Sequence, residues 1–176
     1  WGKTHDGGLT FASPGLGTTM HIAGEMLQVM AGVKAVHVPY RGGAQSTNDL
    51  VAGRVDFMID SVGAVAGQVE GGQLKVLAVA SGRKLAQFPD APVLSSIYPG
   101  LEVSSWLGVV GPPGMPPGVQ QALVRAVEQA VREPAYVQML EKRGSVVAQS
   151  GPDAFARHLA KERERVARTV VKAGLR

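Results

Sequence analysis

The stretch Leu9-Thr-Phe-Ala-Ser-Pro-Gly-Leu-Gly-Thr-Thr-Met-His21 carries the signals that decide the fold. Its apolar start predicts the end of a buried strand, and the glycines of Ser13–Gly17 predict a turn. Thr18 or Thr19 is a suitable helix cap, and apolar residues at helical spacing extend the pattern to Ala31, before a glycine stop signal. The sequence therefore predicts a strand, a turn and a helix in immediate succession.

A corner of this kind leaves backbone N–H groups at the start of the helix pointing into open space. Such a corner attracts a carboxylate or phosphate without any charged side chain. The same pattern also occurs in α/β proteins for packing reasons alone, so both interpretations stand at this point. A dinucleotide fingerprint is excluded because Met20 occupies the third glycine position, and the turn lacks the Gly-Lys-Ser/Thr triplet of a Walker loop.

Two more strand-and-helix units follow along the chain. Lys34–Pro39 predicts a second strand, and the glycine-rich turn Tyr40–Gly43 opens a helix over about residues 44–52. Val55, Phe57 and Ile59 occupy alternate positions of Val55–Asp60, which predicts a third strand that ends on Asp60. If the three strands are parallel neighbours, these corners share the sheet edge at which open α/β sheets bind ligands.

The rest of the chain predicts further strands and then helices. A nearly continuous apolar run at Leu74–Ala80 is typical of a central parallel strand. Proline residues predict a loop over Ser81–Gly100, and the run of proline and glycine at Gly111–Gly118 indicates a boundary or hinge. Other predicted elements are a helix or irregular segment at Ser61–Glu70, a strand at Val103–Val110, helices at Val119–Val131 and from Pro134 to Gly144, a short strand at Ser145–Ala148, and a helix from Pro152 that stops at Gly174.

Composition narrows the class of protein. With 45% hydrophobic residues the chain can bury a core, and the absence of cysteine excludes disulfides and thiol chemistry. The net charge of +4 does not indicate nucleic-acid binding, because basic residues of the last helix alternate with Glu162 and Glu164, which is typical of a solvated face. His5, His37 and His158 have no metal-site spacing, and we expect no metal or other cofactor.

Five motifs then occur in the order and spacing of one known family. The chain closely resembles the Bug-type family, the periplasmic solute receptors of tripartite tricarboxylate transporters, over nearly its whole length. The motifs are Ser13-Pro-Gly-Leu-Gly-Thr-Thr-Met-His-Ile-Ala-Gly-Glu25, Val36-His-Val-Pro-Tyr-Arg-Gly-Gly-Ala44, Val55-Asp-Phe-Met-Ile-Asp60, Leu74-Lys-Val-Leu-Ala-Val79, and Trp106-x-Gly108 leading to Gly114-Met-Pro-Pro117.

The resemblance implies an α/β, periplasmic-binding-protein-like (type II, Venus flytrap) fold that closes on a small carboxylate and delivers it to membrane permease subunits. Residues 1–105 correspond to ligand-binding domain two, and residues 106–176 to a hinge and an incomplete, helix-rich part of domain one. The family's first half and signal peptide are not in this sequence, and the chain begins at Trp1 rather than Met. We therefore expect a fragment or a processed product of a periplasmic protein.

The resemblance also assigns ligand-binding residues, whose hydroxyl and backbone N–H groups would donate to a mono- or dicarboxylate, or to an amino acid. His21 is expected to be neutral and to tie the first corner to nearby backbone, and Arg41 to lie on the surface. Asp60 is expected either to accept from a ligand hydroxyl or amino group or to cap a helix. The ligand-binding residues are Ser13, Gly15, Gly17, Thr18, Thr19, Tyr40, Gly42, Gly43 and Asp60.

Two other classes of function remain open at this point. In the first, the chain is a structural module in which two copies pair through the incomplete domain and bind no ligand. The second is a phosphate-handling hydrolase that depends on Asp60. An enzyme is not expected, because there is no thiol, no Ser–His–acid set at a known motif spacing and no paired-carboxylate signature.

Overall fold

The computed structural model describes residues 2, 7–148 and 151–172. The described residues form two compact units. The first unit contains the described residues up to Ser105 and those from Val166 onward, and the second unit is Trp106–Arg165. The predicted helix stop at Gly174 lies outside the described residues.

A three-stranded parallel sheet organises the first unit, with strand order β2-β1-β3. The prediction that the three strands are parallel neighbours is confirmed. The third strand is shorter than predicted, because only two of its residues pair with β1. The elements are β1 (Leu9–Ser13), α1 (Thr19–Ala31), β2 (Ala35–Pro39), α2 (Gly43–Val51), β3 (Phe57–Met58), α3 (Val62–Glu70) and α4 (Leu94–Ile97).

The first helix has the predicted ends. Thr18 is the N-cap and accepts a hydrogen bond from the backbone N–H of His21. Gly32 adopts the left-handed conformation, with φ of 63°, and its N–H donates to the carbonyl of Gln28. A glycine meets this requirement without a steric penalty, so the stop signal was read correctly from the sequence.

Helix α1 packs closely on the central strand. Phe11 of β1 is fully buried, and a Cβ atom placed on Gly24 would lie 2.2 Å from its ring. The helix can approach the strand this closely because residue 24 has no side chain. Next to this contact, Ile22 and Met26 form a buried cluster with Leu101. Partly buried residues packed against that cluster are Leu27, Leu94, Tyr98, Val103 and Val170.

Three predicted strands are wrong, and one predicted loop contains a short helix. Of Leu74–Ala80, only Val79 forms a β-bridge, with Val93, because β1 occupies the centre of the sheet and the apolar run has no neighbouring strand along its length. Val103–Val110 and Ser145–Ala148 contain no regular structure. The predicted loop Ser81–Gly100 contains the single helical turn α4, whose start at Leu94 is fixed by a backbone bond from its N–H to the carbonyl of Val79.

Helices dominate the second unit, as predicted. They are α5 (Pro117–Ala130), α6 (Pro134–Lys142) and α7 (Pro152–Lys172), the last of which continues into the first unit. Each begins with proline, which is suited to the first helical position because its missing N–H would have no partner there. Neither α5 nor α6 contains a buried residue. No helix within the described residues is long and apolar enough to span a membrane.

We predict that Gly24→Ala destabilises the protein because the new methyl group collides with the buried Phe11 ring. Overpacking of this kind lowers the free energy of unfolding by about 1–3 kcal/mol. Gly67→Ala is the matched control, since Gly67 also lies inside a helix but a Cβ there meets nothing within 4 Å. Urea unfolding of both variants tests this contact. Equal stability of the two would show that the close approach of α1 to β1 is not limiting.

Candidate ligand-binding site

The candidate site lies at the edge of the sheet where all three strands end and helices α1, α2 and α3 begin. The two glycine-rich turns at this edge are bonded to each other. The N–H of Tyr40 donates to the carbonyl of Ser13 at 3.0 Å, and the N–H of Gly42 donates to that of Pro14 at 3.1 Å. These bonds hold the starts of α1 and α2 next to each other, as parallel strand order requires.

Hydroxyl groups of the first corner stabilise the turn itself. The Thr18 hydroxyl donates to the carbonyl of Gly15 at 2.8 Å. Ser13 is fully buried, and its hydroxyl donates to the Gly15 carbonyl at 3.0 Å and accepts from the Gly15 N–H at 3.2 Å. Ser13 therefore lies beneath the corner and positions it, which corrects the prediction that its hydroxyl donates to a ligand.

The hydrogen-bond donors that remain without an acceptor at this edge are backbone N–H groups of the first helical turns, which we call open amides. Among the described residues, the N–H groups of Thr19 and Met20 at the start of α1 have no acceptor, and neither do those of residues 43–45 at the start of α2. The N–H of Gly17, also a predicted donor, is directed to Nδ1 of His21 at 3.1 Å. The amides that remain carry the partial positive charge of two helix dipoles.

Asp60 follows β3 and lies beside the start of α2. Its Oδ1 accepts the Ser61 N–H at 2.7 Å, and its Oδ2 is buried without a partner among the described residues. That Oδ2 lies 3.9 Å from the position that a Cβ on Gly43 would occupy. Burial raises the pKa of the Asp60 carboxyl above its usual range, although the hydrogen bonds from Ser61 act in the opposite direction.

A cavity of about 300 Å³ lies between α2 and α3. Its polar side chains Asn48 and Gln68 were missed by the sequence analysis, because polar residues on short helices look like a solvated face. The sequence signal for this cavity was the spacing of Gly43 and Thr47. They lie one helical turn apart, so they share a face of α2. The cavity is lined by Gly43, Ala44, Thr47, Asn48, Ala64 and Gln68.

The side chain of Tyr40 bonds to helix α2. Its hydroxyl donates to Asp49 at 2.7 Å, and Asp49 also accepts from Arg54 at 2.6 Å. The bond to Asp49 raises the pKa of Tyr40 above its usual range. The Tyr40 hydroxyl therefore ties the second turn to helix α2, a contact that the sequence did not predict. Arg41 is exposed, as predicted.

A serine–histidine contact exists beneath the first corner, with Ser13 Oγ 2.7 Å from Nε2 of His37. Because Ser13 is fully buried, its hydroxyl cannot reach a substrate, and no acidic residue contacts His37 in the described part of the chain. The pair therefore lacks the geometry of a hydrolase centre. Within the same residues, no group of three or more histidine or acidic side chains could hold a metal ion.

Open helix amides, glycine turns and a small cavity lie at one edge of a parallel sheet, an arrangement typical of α/β proteins that bind small ligands. The chain belongs to the family described as the tripartite tricarboxylate transporter family receptor, which it matches over residues 2–175. The resemblance drawn from the motifs is thereby confirmed.

Individual relatives agree with this assignment. The chain is 37% identical over 171 residues to a protein of the tcbD-tcbE intergenic region of Pseudomonas sp. strain P51, covering 96% of this chain and 51% of that protein. It is also similar to R. palustris Rpa4515, solved with adipate, with a TM-score of 0.88 and 29% identity over 94% of this chain and 56% of the other. The periplasmic binding protein BugD gives a TM-score of 0.87, with 29% identity over 95% and 57%. The chain thus spans about half the length of these relatives.

We predict that Asp60→Asn raises the free energy of unfolding at neutral pH. The pKa of Asp60 is higher in the folded protein than in the unfolded chain, so the folded state binds the proton more tightly and gains stability as the pH falls toward that raised pKa. Asparagine keeps an oxygen for the Ser61 N–H and removes the charge. Urea unfolding at neutral and mildly acidic pH should show a smaller pH dependence in the variant. A loss of stability at neutral pH would contradict this account of the buried carboxyl.

Proposed function

We propose that this chain supplies one wall of a binding site for a small carboxylate in a solute receptor of the tripartite tricarboxylate type. The observation that carries the proposal is the pair of adjacent helix starts, whose open amides face the same edge of the sheet. Family membership and the adipate-bound relative support a carboxylic acid as ligand. The wider class includes mono- and dicarboxylates and amino acids.

Backbone amides would capture the carboxylate without a charged side chain. Hydrogen bonds to a charged group contribute about 1.5–3 kcal/mol each, and the two helix dipoles add to the attraction. Thr19, Gly42 and Gly43 lie at these helix starts, together with the missed residues Met20 and Ala44. Asp60 would accept from a ligand hydroxyl, an ammonium group or an ordered water.

The remaining assignments rest on the family. In this proposal, residues 1–105 are ligand-binding domain two, and residues 106–176 are the hinge and part of domain one. The receptor would work in the periplasm, close on its ligand and deliver it to membrane permease subunits. BugD, a similar structure, is itself a periplasmic binding protein.

Amide NMR combined with calorimetry tests the function directly. Titration with adipate, other dicarboxylates, monocarboxylates and amino acids should shift the amide signals of Thr19, Met20 and Gly43–Gln45 for at least one compound. NMR detects weak binding, so a site with only one wall would still respond at millimolar ligand. Unchanged amide signals with every compound would overturn the proposal.

We predict that Gly43→Pro weakens binding of the responding carboxylate by about tenfold or more. Proline at the first helical position removes one open N–H and leaves the helix intact, so the loss reports one charge-assisted hydrogen bond. Gly43→Ala is the matched control, because it adds a Cβ at the same place and keeps the N–H. Titration should find the alanine variant to be the tighter binder. Equal affinities for the two variants would exclude the Gly43 amide from the site.

Pairing of two copies through residues 106–176 is the second candidate. Its support is the exposure of apolar side chains on α5 and α6, including Leu123 and Met139. Light scattering at increasing protein concentration tests this candidate. A constant monomer mass would overturn it.

A further inference from the structure

Two imidazole rings are stacked beneath the first corner. His21 of α1 and His37 of β2 have ring centroids 3.9 Å apart and planes inclined by 25°. The ring of Phe11, on the central strand, stacks on His37 at 4.8 Å. His21 is only 5% exposed. Stacked rings of this kind fix the imidazoles relative to the sheet and to each other.

His21 holds one end of the glycine turn. Its Nδ1 accepts the N–H of Gly17 at 3.1 Å, so Nδ1 carries a lone pair and the ring proton of the neutral form lies on Nε2. That Nε2 lies 3.6 Å from Oε1 of the buried Glu25, whose other oxygen accepts from the amide of Gln28. Glu25 therefore favours the tautomer that the Gly17 bond requires.

His37 holds the other end of the turn through Ser13. The Ser13 hydroxyl has one proton, which it donates to the Gly15 carbonyl at 3.0 Å. The same hydroxyl forms a 2.7 Å hydrogen bond with Nε2 of His37, in which the donor is set by the imidazole tautomer. One imidazole thus fixes Gly17 directly, and the other fixes Gly15 through a buried serine.

Building on the proposed function, we propose that His21 and His37 are positioning residues for carboxylate binding. They hold Gly15 and Gly17 so that the first-turn amides of α1 face the ligand, and they do so as neutral imidazoles. Neither ring needs to touch the ligand.

Burial disfavours the charged form of His37. Glu25 of α1 lies beside His21, and Phe11 and Ser13 of β1 contact His37. Burial, and then the charge that His21 would carry, lower the pKa of His37 to about 4. A proton added to Nδ1 of His21 would face the Gly17 N–H and break their bond.

Matched amide substitutions separate positioning from packing. Asparagine places an oxygen near the position of Nδ1, and glutamine places its amide near the position of Nε2. His21→Asn should therefore keep the hydrogen bond to Gly17, and His21→Gln should lose it. Likewise, His37→Gln should keep the hydrogen bond to Ser13, and His37→Asn should lose it. All four variants lose the ring stack, so a role in packing alone would affect both members of each pair equally.

The experiment measures adipate affinity by NMR titration for the wild type and all four variants, with thermal unfolding to compare their stability. We expect His21→Gln to bind about three- to tenfold more weakly than His21→Asn, and His37→Asn to bind more weakly than His37→Gln by a similar factor. Equal affinities within each pair would overturn the positioning role.

NMR signals from the turn itself distinguish a failure of this inference from a failure of the proposed function. Nitrogen NMR of the wild type should show an unprotonated Nδ1 on His21, and the Gly17 amide should exchange faster in His21→Gln than in His21→Asn. If adipate does not bind the wild type but these signals appear, the carboxylate assignment has failed and not the account of the turn. A protonated Nδ1 at neutral pH, or equal exchange of the Gly17 amide in both variants, would overturn the inference.

Discussion

Parallel pairing of β1 with both of its neighbours is the constraint on which the candidate site depends. Ser13 aligns with Pro39, and Ala12 aligns with Met58, so the three strands end at one edge. Each following helix must then start at that edge. A strand running the other way would carry its helix start to the opposite edge and leave one corner alone. The two glycine turns form one candidate site only because this pairing brings them together.

Structural features that depend on adjacent residues could be predicted well from the sequence. Features that depend on contacts between distant residues could not. The cap at Thr18 and the stop at Gly32 depend on a few adjacent residues, and both were read correctly. The apolar run at Leu74–Ala80 has the composition of a strand, but a strand also needs a neighbouring backbone, which a pattern along one segment does not show. The same limit applies to Val103–Val110, where Leu107 and Val110 are exposed.

The candidate site shows the same division. Glycine and cap residues marked the two corners, because a helix start can be recognised from its own sequence. The role of Ser13 could not be recognised in this way, since its partner His37 lies 24 residues further along the chain. The side chains of Asn48 and Gln68 belong to the cavity only because α2 and α3 lie next to each other. Sequence patterns thus located the corners, and the fold selected which groups at each corner remain open.

The proposed site uses open amides in place of an arginine side chain, and this has physical consequences. Amides at the starts of two helices are held in place by the helices, so binding an anion requires little reorganisation, and they add no net charge to be desolvated. Such a site depends on geometry more than on charge, because a misplaced amide cannot reach out as a long side chain can. In this proposal, the buried polar contacts under the first corner hold the turn in the geometry that binding requires. Neutral imidazoles and a buried hydroxyl fix the turn without adding a charge that would have to be compensated elsewhere in the core.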